Sequence, residues 1–71
     1  MTRLGLYLTK KSINRAMVSR RTGISQARLS QLCSNEKTKL RAKELYAISL
    51  AIDVDPCEVL KEIYGDMEIG G

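Results

Sequence analysis

The stretch Gly23-Ile24-Ser25 constrains this chain more than any other. Before it, Asn14 is a good N-cap, and Arg15 to about Arg21 carries Ala16, Met17 and Val18, which predicts a short helix. Gly23 ends that helix, because the residue after a helix often takes a positive φ that costs residues with side chains more. Ile24 is an apolar anchor in the turn. Ser25 is a second N-cap, and Leu29, Leu32 and Cys33 follow it at helical spacing. A helix of about two turns is expected from Gln26, stopped at Ser34-Asn35, with Asn35 able to adopt the left-handed conformation.

The rest of the chain also reads as helix. Thr2 is an N-cap for a segment from Arg3 to about Lys11, where Leu4, Tyr7, Leu8 and Lys11 share a face and Gly5 weakens the pattern. Glu36 to Arg41, "EKTKLR", is a basic loop. A longer helix is expected from about Ala42 to Ile52, with Leu45, Ile48 and Ile52 inward. Asp55 then caps a last helix that has Pro56 at its first position and Glu58 where a capping box puts its acid. Val54 and Val59 are spaced for a hydrophobic staple, and Leu60 and Ile63 continue the buried face to Tyr64. Residues 1–64 therefore form one domain, and 65–71 a short flexible tail. Five short helices make an all-α fold.

Seventy-one residues leave room for one domain only. With no Phe or Trp, its core must come from Leu, Ile, Val, Ala and Met. No apolar run approaches membrane-spanning length and no signal peptide opens the chain, so a cytoplasmic location is expected. Cys33 and Cys57 lack a CxxC partner and there is no His, so neither a metal nor another cofactor is expected. Both cysteines read as small buried hydrophobes.

Charge is segregated. Residues 1–43 hold eleven of the twelve Lys and Arg and one acid, a net of +10, whereas residues 44–71 hold Lys61 and seven acids, a net of −6. A basic half this dense points to an anionic partner. An enzyme is hard to build here: there is no His for acid–base work, no carboxylate pair in the basic half and no glycine-rich phosphate loop.

The segment Arg15 to Leu32, "RAMVSRRTGISQARLSQL", resembles the helix-turn-helix of the phage repressor and Cro (Xre) family. Small Ser19 stands where the two helices cross, Gly23 in the turn, and Val18, Leu29 and Leu32 at packing positions. The basic loop and "LYAISLAIDVDPCEVL" are similar to the family's fourth and fifth helices, so the resemblance covers about residues 3–64. This chain has Ser19 where the family usually has Ala, Asp53 where it favours Gly, and Arg15 where Gln is common. The resemblance implies a five-helix, lambda-repressor-like DNA-binding domain with the helix-turn-helix at helices two and three.

That resemblance also implies roles. The helix starting at Gln26 would lie in the major groove of double-stranded DNA, turning Gln26, Ala27, Ser30 and Gln31 to base edges. Arg28, at the edge of this face, would serve a guanine or a phosphate. Taken without the resemblance, Gln26 and Gln31 are equally ordinary solvent-facing helix formers. Arg15 and Ser25, at helix starts, and Lys37, Thr38, Lys39 and Arg41, in the basic loop, would hold phosphates. Lys10, Lys11, Arg20 and Arg21 have a simple solvated alternative. Two functions stand: a sequence-specific transcriptional regulator of the repressor kind, or a protein-binding adaptor such as an antitoxin. A homodimer would use helix five with Ile63, Tyr64, Met67 and Ile69, unless Met67 and Ile69 belong to a loose tail.

Overall fold

The structure, a computed structural model, describes residues 1–70. Gly71, the end of the expected flexible tail, lies outside the described residues. Five helices follow in order: α1 Arg3–Lys10, α2 Arg15–Thr22, α3 Gln26–Ser34, α4 Ala42–Ala51 and α5 Pro56–Tyr64. Among the described residues there is no strand. The expected boundaries agree to within one residue.

Side-chain caps explain where four of the five helices start. Thr2, Asn14 and Ser25 each accept a backbone N–H from the residue three positions on, and Asp55 accepts from Cys57. The bond expected from Glu58 back to Asp55 is absent among the described residues. The acid that makes this backward bond is Glu44 instead, whose Oε1 accepts the Arg41 N–H at 3.0 Å.

Left-handed residues follow three of the helices. Gly23 takes φ 78° after α2, as its sequence position predicts. Ser12 and Asp53, both with side chains, take φ 57° after α1 and α4. In each case the next residue folds back, Ile13 N–H to Leu8 O at 2.9 Å and Val54 N–H to Ser49 O at 3.0 Å. Asn35 does not take that conformation. It sits at φ −103°, and its side-chain oxygen accepts the Lys37 N–H at 2.9 Å, turning the chain by a side-chain bond.

One core joins all five helices. Leu4, Tyr7 and Leu8 of α1 meet Val18 of α2, Leu29, Leu32 and Cys33 of α3, Leu45 and Ile48 of α4, and Val59 and Ile63 of α5. Burying these apolar side chains is the main source of stability, at about 1.5–3 kcal/mol each. Gly5 is buried in this contact and is no weak point. A Cβ there would lie 2.2 Å from the Cys33 carbonyl oxygen, so the α1 backbone touches the end of α3. Thr2 binds the same place: its N–H donates to Cys33 O at 2.9 Å and its hydroxyl to Leu32 O at 2.7 Å.

Lys11 is exposed and lies over the Tyr7 ring, 5.3 Å from its centroid, on the face expected for it. Three expectations change. Cys57 is exposed at the second position of α5, and Cys33 alone of the two cysteines is a core residue. Leu60 points outward with 47 % of its surface exposed. Ile63 points inward at 9 %, so it belongs to the core and is not available to a dimer surface. Helical phase explains the last pair. With Val59 buried, its i+4 neighbour Ile63 follows it inward and Leu60 rotates out.

The tail is anchored at its start. Arg3 binds both carboxylate oxygens of Asp66 and donates to Ile63 O at 3.3 Å. That pair holds the Asp66 carboxyl below the usual carboxylate range, and Arg3 is held correspondingly above its own. Met67 N–H closes a turn on Tyr64 O at 2.9 Å.

Candidate nucleic-acid interface

The helix pair α2–α3 is fixed by its turn. Ser19 of α2 donates its hydroxyl to Ile24 O at 2.6 Å, and Gly23 N–H bonds Ser19 O at 3.0 Å. The Thr22 hydroxyl donates to Val18 O at 2.7 Å and accepts the Ile24 N–H at 3.1 Å. Ser19 is therefore more than a small residue at a crossing, because an alanine there could not make the bond to Ile24. Ile24 packs half-buried on the core and holds the turn down.

Burial sets the rotation of α3. Leu29, Leu32 and Cys33 are at most 3 % exposed, which turns Gln26, Ala27, Ser30 and Gln31 to solvent. Gln31 is partly oriented, its Oε1 accepting Asn35 Nδ2 at 3.2 Å. Gln26 makes no side-chain hydrogen bond among the described residues, so its amide is free to pair.

Arg15 stands beside this face. Its guanidinium donates to Thr9 Oγ1 at 3.2 Å, and Arg15, Gln26, Leu29 and Ser30 line one shallow depression. The structure thus brings the cation at the start of α2 next to the first turn of α3. Ser25 spends its hydroxyl on the Arg28 N–H and is exposed. Past α3, Lys37, Lys39 and Arg41 are exposed, while Thr38 is half-buried and Leu40 packs on the core. Leu40 holds the loop against the domain with its three cations outward.

Arg28, at the edge of this face, turns its side chain toward α4. Its Nε and Nη2 each lie 2.9 Å from one carboxylate oxygen of Glu44, and Nη2 also donates to Lys39 O at 2.9 Å. The side chain reaches across to α4 and is not extended toward solvent beside Gln26 and Gln31. The Arg28 guanidinium holds the Glu44 carboxyl down to about 2, and the Arg41 N–H adds to this against partial burial. Glu44 was missed in the sequence. The available signal was its place three residues after Arg41, the spacing of a capping-box acid.

The doubtful cations divide. Arg21 donates to Ala51 O at 3.0 Å, where a cation favours the C-terminal end of α4. Arg20, Lys10 and Lys11 are exposed. Among the described residues no three His, Cys, Asp or Glu side chains cluster as a metal site, and no helix is long and apolar enough to cross a membrane.

Two short helices locked by a three-residue turn, with the second presenting a polar face beside a cationic loop, define a helix-turn-helix DNA-binding domain on an all-α, lambda-repressor-like fold. The chain belongs to the Cro/C1-type helix-turn-helix DNA-binding domain family, whose model matches residues 3–63. No curated protein and no solved structure matches it significantly.

Proposed function

We propose that this chain is a cytoplasmic, non-catalytic repressor of transcription that reads a specific sequence in double-stranded DNA. The observation that carries the reading is the outward face of α3, uncharged at Gln26, Ala27, Ser30 and Gln31, with Arg15 beside it and exposed Lys37, Lys39 and Arg41 in the loop that follows. Uncharged side chains discriminate, since each needs a particular donor and acceptor pattern. Gln pairs with adenine N6 and N7, Ser with several bases, and Ala touches a thymine methyl. The cations, with Ser25 and Thr38, need only phosphates.

Gln26 is the most informative test. It opens α3, at the turn that enters the groove most deeply. Gln26→Ala should cost about 1–3 kcal/mol on a duplex selected from a random pool and much less on random duplex. Equal losses on both would remove Gln26 as a reading residue. A second copy of the chain is proposed to join through Leu60 and Tyr64 of α5 with Met67 and Ile69, all exposed, giving half-sites about one helical turn apart. Sedimentation with and without DNA checks it, and a monomer protecting a single half-site would overturn it. The same outward Leu60 and Tyr64 also favour a second reading, an antitoxin-like adaptor holding a partner protein. Absence of binding to any duplex at low salt would put that reading ahead.

A further inference from the structure

The Arg28 guanidinium and the Glu44 carboxylate close a ring of bonds through three chain segments. Arg28 leaves α3 two residues after Gln26 and three before Gln31. It meets both oxygens of Glu44 on the first turn of α4 at 2.9 Å, and it holds Lys39 O at 2.9 Å. Glu44 Oε1 returns to the Arg41 N–H at 3.0 Å. Backbone atoms on both sides of Leu40 are therefore tied to the helix that carries Gln26. The pair is partly sheltered, with the Glu44 side chain 13 % and the Arg28 side chain 33 % exposed. A forked guanidinium makes such a connection directional in a way that an ammonium cannot.

We propose that Arg28 is a positioning residue that sets the register between the reading face of α3 and the phosphate loop through Glu44, and does not itself read a base. The inference rests on the reading of α3 given above. Its physical content is preorganisation. Specific binding requires Gln26 and Gln31 at base edges while Lys37, Lys39 and Arg41 sit at phosphates, all at once. A loop free to drift must be ordered on binding, and that cost falls on the specific complex. Random duplex accepts many registers, so it is affected less.

The test uses the whole chain with Arg28→Lys, Arg28→Met and Glu44→Gln. The first readout needs no DNA: backbone 15N order parameters for residues 37–41. They are expected to fall in all three variants while those of α1 to α3 stay level, and Lys is not expected to rescue them although it keeps the charge. Unchanged order in the loop would overturn the proposal whatever the DNA data show. The second readout is affinity for a duplex selected from a random pool and for random duplex of equal length. Arg28→Met and Glu44→Gln should each lose about tenfold on the selected duplex, the scale of one charge-assisted hydrogen bond, and clearly less on the random one. The double variant should be no worse than either single one. If Glu44→Gln binds as well as the parent or better while Arg28→Met is weakened, Arg28 touches DNA and the proposal is wrong. If the parent prefers no sequence at all, the reading of α3 fails, and the relaxation data still decide whether Arg28 holds the loop. Thermal melts come first, and Arg28→Lys, which keeps stem and charge, carries the test if Arg28→Met does not fold.

Discussion

Arg28 and Glu44 face each other fork to fork, two nitrogens of one opposite two oxygens of the other at 2.9 Å, across the space between α3 and α4. The acidic half of the chain thus reaches into the basic half here, as it also does at Arg3 and Asp66, and the loop with three exposed cations is tied to this pair.

Acid should weaken this pair. Its hydrogen bonds with Arg28, and the Arg41 N–H, hold the Glu44 carboxyl at about 2, below its ordinary 4.5. A depressed folded value means the stabilisation is complete above the unfolded value and is lost as pH falls from about 4.5 toward 2. Asp66, also held low by Arg3, adds a slope of the same sign. Melting temperature should therefore drop below about pH 4.5, and Glu44→Gln should flatten part of that drop. An identical acid profile for Glu44→Gln would show that the pair contributes nothing to folding.

Gly5→Ala tests the contact of α1 with α3. Helix propensity alone favours Ala by about 1 kcal/mol. The Cβ would lie 2.2 Å from Cys33 O, and a backbone atom cannot swing aside. Destabilisation of roughly 2–3 kcal/mol is expected, read by urea unfolding. A gain in stability would mean the helices are farther apart than described.

Asp53→Gly should act in the opposite direction. Asp53 holds φ 57° with a side chain, and glycine meets no such cost. A gain of about 0.5–1 kcal/mol is expected from denaturant midpoints. A loss would reveal a role for the carboxylate that the backbone geometry does not explain.

Lys39→Ala addresses the loop. The side chain is exposed, so folding should not change. A sequence-blind phosphate contact should cost selected and random duplex alike, and the slope of log affinity against log salt should shrink by about one unit. A slope equal to the parent's would remove Lys39 from the contact set.

Four helix starts were legible because they are written locally: Thr2, Asn14, Ser25 and Asp55 cap within three residues of themselves. The rotation of α3 was legible too, since Leu29, Leu32 and Cys33 fix it by spacing. What could not be read is what depends on atoms distant in the chain. Gly5 looks like a weak helix residue until Cys33 is seen against it. Arg28 looks like a surface cation until Glu44, sixteen residues on, is placed opposite. Leu60 and Ile63 share an apolar character, and only the packing of Val59 tells which turns inward. Asn35 had two ways to turn the chain, and the bond to Lys37 chose between them.

Thr2 and Gly5 hold the C-terminal end of α3 through backbone atoms, with no side chain of the outward face taking part. Gln26 makes no bond to the scaffold among the described residues, Ala27 has none to make, and Gln31 bonds only Asn35. What aims the helix and what the helix displays are therefore separate sets of residues. Under the proposed reading of α3, substitutions on the displayed set change the target sequence and leave the aim intact, so a lineage of such chains exchanges one target for another by a few surface changes, with no new solution to the folding problem required.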